Sequence, residues 1–388
     1  MRNRTCVFVI ATLIIGACNK DEEPSPANNG GGNAQIDVPT LPADHYDYST
    51  PNLPANVLAY LANEPLLDNT PADNPITDAG ATLGRVLYYD KKLSVNNVTA
   101  CASCHHQDKA FTDGLAFSEG HLGGETRRNA MTTVNLRYYK GKHMFWDLRA
   151  EDLETQVVMP ITDAIEMGMP SLSELETKLS GISYYPPLFE AAFGDEMITS
   201  DRVSKALAQF IRSITSFTSR YDQGLNTGFA DFTPQELLGK TLVGTKFCTE
   251  CHGDVTATGT QDQTFLIGEF FGKNEGFGSN NGLDPSYTDN GYGEISGLAQ
   301  DQATFKFPSF RNVELTAPYM HDGRFATLEE VMDHYDIGIT AHPNAGIQLP
   351  PGGIPLTPDE KSAIIAFLKT LTDHSLLTDV RYSDPFTQ

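Results

Sequence analysis

Residues 101–105 read Cys-Ala-Ser-Cys-His, and residues 248–252 read Cys-Thr-Glu-Cys-His. Both stretches match Cys-x-x-Cys-His, the pattern of covalent c-type haem attachment. The spacing suits this chemistry because two thiols one helical turn apart can add to the two vinyl groups of one porphyrin, while the adjoining histidine ligates the iron. The sequence therefore predicts two covalently bound c-type haems. The attachment residues are Cys101, Cys104, Cys248 and Cys251, and the proximal iron ligands are His105 and His252.

Other chemistries that use paired cysteines fit less well. A four-cysteine zinc ribbon places its two pairs close together in sequence, whereas about 145 residues separate these pairs. A redox dithiol of the thioredoxin type needs a βαβ setting, which neither flank indicates. The chain has six cysteines. Because the other two, Cys6 and Cys18, lie near the N-terminus, none is left in the globular region for a structural disulfide.

The first 18 residues resemble an export signal. Arg2 and Arg4 precede an apolar run over residues 7–15, which is too short to span a bilayer. The run ends in Gly-Ala-Cys18, which resembles the lipobox of bacterial lipoproteins, whose cysteine carries lipid as the first mature residue. We predict a signal peptide over 1–17, a flexible tether over 18–45, and an exported, membrane-anchored lipoprotein facing the periplasm or cell surface. An ordinary signal peptide cleaved nearby is the alternative.

The charge balance limits the partners of this chain of 388 residues. It has 27 Lys and Arg against 50 Asp and Glu, which gives a formal net charge of −23. A surface this acidic repels phosphate backbones, so no nucleic-acid partner is expected. The same charge attracts basic proteins and favours solubility.

Helical spacing of apolar residues dominates the rest of the chain. It runs over residues 203–217, and a final helix is predicted to begin at Thr357-Pro358. A weak repeat, Leu-Gly-(Arg/Lys)-x-Leu, precedes each haem motif, at residues 83–87 and 238–242. We therefore predict a mainly α protein with two cytochrome c-like domains, each with one covalently attached haem. The predicted domains are 46–222 and 223–388.

Several ordered sequence blocks accompany the two motifs. They are Ser-Glu-Gly-His-Leu at 118–122, Arg128-Asn129, Phe-Trp-Asp-Leu-Arg-Ala at 145–150, Gln156 followed by Pro-Ile-Thr-Asp-Ala-Ile-Glu-Met at 160–167, and Phe-Pro-Ser-Phe-Arg-Asn-Val-Glu-Leu-Thr-Ala-Pro-Tyr-Met-His-Asp-Gly at 307–323. On these blocks the chain resembles the bacterial dihaem cytochrome c peroxidase family, including its MauG branch, over about residues 75–372.

The resemblance implies roles for particular residues. It makes His105 the ligand of a peroxidatic haem and His252 the ligand of an electron-transferring haem. It places Glu166 at the distal catalytic carboxylate, which moves a proton between the oxygens of peroxide, and Gln156 at a distal amide. Trp146, the only tryptophan, matches a residue between the two haems. A surface position for Glu166 and core packing for Trp146 are the alternatives.

Further positions concern iron and calcium ligation. His121 matches a histidine that caps the peroxidatic iron in the resting state, although the following sequence differs from the usual one, and a loop histidine is the alternative. The resemblance also implies an interdomain calcium ion bound by Asn129 through its side chain and by Thr316 and Pro318 through their carbonyls, because hard oxygen ligands suit calcium.

One departure concerns the sixth ligand of the second haem. Where the peroxidases carry methionine, this chain has Tyr335, which resembles the MauG branch, whose members oxidise protein side chains through a high-valent dihaem state. Anionic phenolate would lower the haem potential relative to a thioether. The alternative ligands nearby are Met320, His321, Met332 and His334. Packing on a helix face is the other explanation for the tyrosine.

Three functions therefore compete. The first is reduction of hydrogen peroxide with electrons from a small cytochrome c or copper protein. The second is MauG-like oxidation of a protein or small molecule, which Tyr335 favours. The third, electron carriage alone, is disfavoured by Glu166 and Gln156. We predict peroxide chemistry, and the family analogy suggests a homodimer.

Overall fold

The computed structural model describes residues 37–50, 53–63, 67–139, 141, 143–255, 261–262, 278–346 and 349–387. The predicted signal peptide over 1–17, with Cys6, lies outside the described residues, as do Cys18 and the start of the predicted tether. Across the described ranges, no helix combines the length and apolarity that crossing a bilayer requires.

The described chain is mainly helical, as predicted. Its α-helices are α1 (Ala55–Asn63), α2 (Asp78–Tyr89), α3 (Leu153–Gln156), α4 (Met159–Thr162), α5 (Leu172–Ser180), α6 (Tyr185–Phe193), α7 (Ser200–Ser213), α8 (Arg220–Thr227), α9 (Pro234–Thr245), α10 (Thr249–His252), α11 (Gly293–Ser296), α12 (Leu328–Asp333) and α13 (Pro358–Lys369). Single 3₁₀ turns include Cys101–Ser103, and a π-helical turn spans His334–Gly338. The short antiparallel strand pairs are β1 (Asp254–Val255) with β2 (Gln261–Asp262), and β3 (Gly278–Ser279) with β4 (Phe305–Lys306).

The first hydrophobic core is built around α2 and α7. Thr77 and Thr199 cap the starts of these helices through their hydroxyl oxygens. The helices cross closely at Gly84, where an added Cβ would lie only 2.0 Å from the carbonyl oxygen of Ala206. The predicted apolar stripe supplies much of this core, because Val203, Leu207, Phe210 and Ile214 are all buried in it.

The second hydrophobic core repeats this arrangement with α9 and α13. Both helices begin at capping boxes, led by Thr233 and by Thr357, and the second of these is the predicted start of the final helix. They cross closely at Gly239, where an added Cβ would lie 1.9 Å from the carbonyl oxygen of Ala363. Gly84 and Gly239 occupy the same position in the Leu-Gly repeat, so the repeat marks the site of close helix contact in each core.

The chain passes from the first core to the second between Phe217 and Tyr221. A buried ion pair holds this junction: Arg311 donates to Asp222 over 3.0 Å, and both side chains are 1% exposed. The guanidinium of Arg311 also lies 4.4 Å from the centroid of the Phe217 ring. Removing one partner of such a pair leaves an uncompensated buried charge, which destabilises the fold. The contact of Arg311 with Phe217 connects this ion pair to the first core.

The C-terminal segment returns to the first core. Leu376, Tyr382 and Phe386 are buried there, although we predicted that the second domain extends to residue 388. The Tyr382 hydroxyl donates to the carbonyl of Ser213 over 2.7 Å. Gln107, two residues after His105, donates to the carbonyls of Leu376 and Asp379. These contacts join residues far apart in sequence, which local patterns do not reveal.

The described end of the predicted tether is also attached to the first core. The amide of Thr40 donates to the carbonyl of Pro385 over 2.8 Å, and Leu41 packs against the apolar side chains of that core. Residues 37–45 therefore contact the folded protein, in contrast to the free tether that composition suggested.

Candidate active site

The first Cys-x-x-Cys-His segment orients His105 as a metal ligand. The 3₁₀ turn Cys101–Ser103 leads into the histidine, whose Nδ1 lies 3.0 Å from the carbonyl oxygen of Phe111. Ala110 and Phe111 both have positive φ, which turns this carbonyl back toward the ring. Because a carbonyl can only accept, Nδ1 carries the proton and Nε2 keeps its lone pair for a metal. Burial lowers the pKa of His105, which favours this neutral form.

The second segment orients His252 in the same way. The residue ends α10, and its Nδ1 donates to the carbonyl of Pro308 over 2.8 Å. The ring also stacks on Phe310, with centroids 4.2 Å apart and planes inclined by 18°. Burial lowers the pKa of His252 to about 4, so the imidazole is neutral at physiological pH.

The four cysteines are partly buried, and none of them forms a disulfide within the described residues. Burial raises the pKa of the Cys101 and Cys251 thiols to about 12, and the pKa of Cys104 and Cys248 to about 11. A redox dithiol depends on a lowered thiol pKa, so these values argue against that alternative. The two pairs also lie beside different hydrophobic cores, and among the described residues no three His, Cys, Asp or Glu side chains cluster as a metal site.

A large cavity adjoins the second segment. It has an empty volume of about 1850 Å³, including open space at its mouth, and Cys248, Cys251 and His252 line it. Apolar side chains from both halves of the chain line its walls, among them Val134, Leu136, Val243, Phe305, Leu328 and Leu368. Thiols, a neutral imidazole and apolar walls fit a covalently attached haem.

Tyr335 faces this cavity from the side of the π-helical turn. Burial, with a smaller contribution from Cys251, raises the pKa of the Tyr335 phenol well above its usual value. Phenolate formation there therefore needs a nearby cation such as a haem iron. His334 instead directs Nε2 to the carbonyl of Asn281 at 3.0 Å. Met320, His321 and Met332 line the cavity with Tyr335, and the ligand assignment stays a prediction.

Glu166 lies beside the first Cys-x-x-Cys-His segment. Its side chain is partly buried, and its charge contributes to the raised pKa of both Cys101 and Cys104. Burial, reinforced by Asp163 and opposed by Arg149, raises the pKa of Glu166 to about 7. A carboxyl group with this pKa can both take and release a proton near neutral pH.

Gln156, the other predicted distal residue, ends the short helix α3. This helix is fixed by Glu154, which forms a buried ion pair with Arg212 and accepts a hydrogen bond from Asn74 over 2.7 Å. The Gln156 side chain is partly buried and has no hydrogen-bond partner among the described residues. It is therefore available to a ligand.

His121 shares a loop contact with Glu166. The backbone amide of His121 donates to the carbonyl of Glu166 over 3.0 Å, and its Nδ1 lies 3.2 Å from the carbonyl oxygen of Ile165. The ring rests on Gly168, where an added Cβ would lie 2.3 Å from Cε1. Nδ1 therefore donates to the carbonyl, and Nε2 remains available to iron. The capping role stays a prediction.

Sequence reasoning missed Arg149 and Gly168. The guanidinium of Arg149 lies 3.5 Å from the centroid of the Phe145 ring and donates to Asp147 over 2.9 Å. It also opposes the rise in the pKa of Glu166. Arg149 belongs to the sequence block 145–150, and Gly168 directly follows the block 160–167. However, one sequence alone does not show which charges or close contacts involve the carboxyl and the histidine.

Trp146 and the predicted calcium residues line the same cavity. The indole nitrogen of Trp146 donates to the carbonyl of Asn129 over 2.9 Å, and the Trp146 carbonyl accepts from the amide of Lys306 in the second half of the chain. The amide nitrogen of Asn129 donates to the carbonyl of Leu115, which leaves its side-chain oxygen for a cation. Asn129, Thr316 and Pro318 therefore share this large cavity, and calcium binding by them stays a prediction.

This chain is similar to dihaem peroxidases and MauG proteins over most of its length. Residues 78–228 match the family model described as di-haem cytochrome c peroxidase. The cytochrome c551 peroxidase of Nitrosomonas europaea is 33% identical over 322 residues, covering 82% of this chain and 86% of that protein. The methylamine utilization protein MauG of Methylorubrum extorquens is 33% identical over 313 residues, covering 78% and 80%.

Solved structures extend the likeness to the fold. A crystal structure of a MauG-like protein associated with microbial copper homeostasis is 35% identical, with a TM-score of 0.68 and coverage of 89% of this chain and 99% of that one. The dihaem peroxidase BthA of Burkholderia thailandensis, 23% identical with a TM-score of 0.62, covers 80% and 91% and shares the fold. We conclude that this chain is an oxidoreductase of the dihaem cytochrome c peroxidase and MauG family.

Proposed function

We propose that this protein reduces hydrogen peroxide to water at a haem held by Cys101, Cys104 and His105. Electrons come from a small cytochrome c or copper protein and enter through a second haem held by Cys248, Cys251 and His252. The observation that carries the proposal is the position of Glu166, a partly buried carboxyl group whose charge acts on both thiols of the first segment. An electron carrier has no need of such a group.

The bound haem would supply an iron that holds peroxide and accepts electrons. Glu166 can take a proton from one peroxide oxygen and deliver it to the other, which makes water the leaving group. Gln156 is available to donate a hydrogen bond that orients the substrate. Burial lowers the pKa of His105 and so favours its neutral form, while the hydrogen bond from Nδ1 to the carbonyl of Phe111 leaves Nε2 for the iron.

The two cores support a division into two cytochrome c-like domains, each with one haem. Trp146 supports electron transfer between them, because it lines the cavity of the second segment and binds Asn129 in the first half of the chain. The formal net charge of −23 favours a basic donor protein, whose approach would be accelerated by the opposite charges.

A MauG-like oxidase is the second candidate, and Tyr335 favours it. This phenol lines the cavity beside Cys248, Cys251 and His252, and the family resemblance aligns it with the methionine of the peroxidases. The relatives include MauG proteins and peroxidases at similar identity. The substrate in that case is a protein or a small organic molecule.

A steady-state assay separates the two candidates. The haem-loaded protein is mixed with reduced cytochrome c and hydrogen peroxide, and oxidation of the cytochrome is followed by absorbance. Sustained turnover that is absent in Glu166→Gln supports the peroxidase. Negligible turnover, with a long-lived change in the spectrum after peroxide alone, supports the MauG-like oxidase. A protein that gives neither response is an electron carrier, and the proposed peroxide chemistry is then wrong.

Calcium binding and membrane anchoring are also proposed. Asn129, Thr316 and Pro318 would bind calcium at the cavity. Titration with calcium, after a chelator has stripped the protein of bound metal, should give one equivalent bound and less binding in Asn129→Ala.

Cys18 would carry lipid, so wild-type protein should fractionate with membranes, whereas Cys18→Ala should not. Binding unaffected by Asn129→Ala, or unchanged fractionation of Cys18→Ala, would contradict the respective assignment.

A further inference from the structure

Two adjacent tyrosines share one buried carboxylate in the first core. The hydroxyl of Tyr185 donates to Oδ2 of Asp90 over 2.7 Å, and the hydroxyl of Tyr184 donates to the same oxygen over 2.6 Å. Oδ1 of Asp90 accepts from the amide of Lys92 over 2.9 Å. The aspartate is 3% exposed, and its side chain accepts all three hydrogen bonds, as a carboxylate does. The two phenol rings are 4.8 Å apart between centroids.

The inner end of this pair lies close to the first haem segment. Tyr185 is fully buried at the start of α6. Burial raises the pKa of its phenol, and Asp90 and Cys101 add to that effect. Cys101 packs against the same apolar core. Tyr185 is thus near a residue that attaches the first haem.

The outer end of the pair reaches the surface. Tyr184 is partly exposed. The ammonium group of Lys92 donates to the Tyr184 hydroxyl over 3.2 Å and lies 5.2 Å from the centroid of its ring. The Tyr184 oxygen therefore has a proton acceptor on one side and a cationic donor on the other. If the phenolic proton moves to Asp90, the hydrogen bond from Lys92 remains to stabilise the oxygen.

We propose that Tyr185 and Tyr184 form a relay that carries oxidising equivalents from the first haem to the protein surface, with Asp90 as the proton acceptor. The relay rests on the proposed peroxide chemistry, because hydrogen peroxide is the oxidant. It operates when no electron arrives from the second haem. It then releases the oxidising equivalent at Tyr184, where an external reductant can reach it.

The relay steps balance in electrons and protons. Reduction of hydrogen peroxide to two waters takes two electrons and two protons, and the protons come from solvent. Because Tyr184 restores Tyr185, each passage along the relay supplies one electron, so two passages are needed. Between them an external one-electron donor, such as a small redox protein, returns an electron to Tyr184, and Asp90 returns the proton. Tyr185 loses an electron to the haem and its phenolic proton to Asp90, which forms a neutral radical and a carboxylic acid. Asp90 returns the proton to Tyr185 as Tyr184 gives up an electron and a proton, so the radical moves outward while the carboxyl stays protonated.

The experiment detects the radical directly. Haem-loaded full-length protein, prepared with ring-deuterated tyrosine and without added reductant, is mixed with hydrogen peroxide and frozen for electron paramagnetic resonance. A parallel sample contains a nitroso spin trap and is digested for peptide mapping by mass spectrometry. We expect a tyrosyl radical signal that is narrower with ring-deuterated tyrosine than with ordinary tyrosine. We also expect an adduct of the spin trap on Tyr184. Tyr184→Phe should lose that adduct while the radical stays on Tyr185, and the Tyr184→Phe/Tyr185→Phe double variant should lose most of the tyrosyl signal. Asp90→Asn should also lose most of the signal because an amide cannot take the proton.

Tyr221→Phe is the matched control, since Tyr221 is a buried tyrosine of the second core, and it should retain the Tyr184 adduct. Haem content and thermal unfolding are checked for every variant. If a variant fails to fold, the map of trap adducts on the wild-type protein tests the relay instead. Two outcomes overturn the relay alone, provided that peroxide changes the visible spectrum. One is a set of trap adducts that excludes Tyr184, and the other is an undiminished radical signal in the Tyr184→Phe/Tyr185→Phe double variant. No spectral change at all overturns the peroxide chemistry and the relay with it.

Discussion

The two Cys-x-x-Cys-His segments share their proximal geometry and differ in what faces them. In both, Nδ1 of the histidine lies within 3.0 Å of a backbone carbonyl oxygen, from Phe111 in the first and Pro308 in the second. The first segment has the carboxyl group of Glu166 beside it, whereas the second opens into a largely apolar cavity with the phenol of Tyr335. On the proposed function, the same motif would serve different chemistry in the two halves, because the side chains that face each segment come from distant parts of the chain.

The largest expected effect is on the first segment. Glu166→Gln should lower peroxide turnover by about 10²–10⁴-fold, the usual contribution of a general acid–base group, with both haems still attached. Glu119→Gln, a change at an exposed carboxyl group nearby, should leave turnover unchanged. Steady-state kinetics with a haem assay measure both variants. Undiminished turnover in Glu166→Gln would place the proton transfer elsewhere and remove the main contrast between the segments.

The packing of His121 gives the next largest effect. Gly168→Ala should destabilise the protein by about 1–3 kcal/mol or more, because φ is +66° there and the new Cβ would meet the His121 ring. Gly194→Ala isolates the backbone contribution, since φ is +89° and no atom lies within 4 Å of its Cβ. Denaturant unfolding should show the larger loss at Gly168. Equal losses would mean that the ring moves away freely.

The second segment is tested through Tyr335. Tyr335→Phe should change the visible spectrum and the potential of the second haem and leave the first haem as it was. Tyr319→Phe serves as the control, because Tyr319 lines the same cavity but its hydroxyl donates to the carbonyl of Val313 over 3.0 Å. Redox titration followed by visible spectroscopy distinguishes the Tyr335→Phe variant from the Tyr319→Phe control. If Tyr335→Phe is silent, another of the cavity residues ligates the iron.

The smallest effect concerns the ring that stacks on His252. Phe310→Leu should reduce the free energy of unfolding by about 0.5–1.5 kcal/mol, the contribution of a stacked aromatic pair, while the haem stays bound. Thermal unfolding measures the change. Phe232→Leu, in the same core but away from the histidine, provides the comparison for lost apolar area. If Phe310→Leu loses no more free energy of unfolding than Phe232→Leu does, stacking on His252 contributes nothing to stability.

Local sequence signals predicted much of the fold. The capping boxes at Thr233 and Thr357 begin helices because each satisfies the amides of its own first turn. The Leu-Gly repeat marks Gly84 and Gly239, where the paired helices of each core touch. These features depend on residues within a few positions of one another, so a single sequence carries them.

Contacts between distant residues were not predictable in the same way. Tyr184 and Tyr185 meet Asp90 across 94 and 95 positions, and Tyr382 meets Ser213 across 169. No periodicity or motif relates such residues, and only the packing of complete helices brings them together. The positions of Glu166 and Tyr335 were inferred through family resemblance, and the structure adds the burial and neighbouring charges that chemistry requires.

The return of residues 376–387 to the first core has a consequence for biosynthesis. The first core is discontinuous, since the whole second core is inserted between its two parts. Its closing segment is translated after the second core, so a nascent chain can complete the second core first. Gln107 gains its partners, the carbonyls of Leu376 and Asp379, only once that segment has been made. The half that contains the first Cys-x-x-Cys-His segment is thus closed later than the half that contains the second.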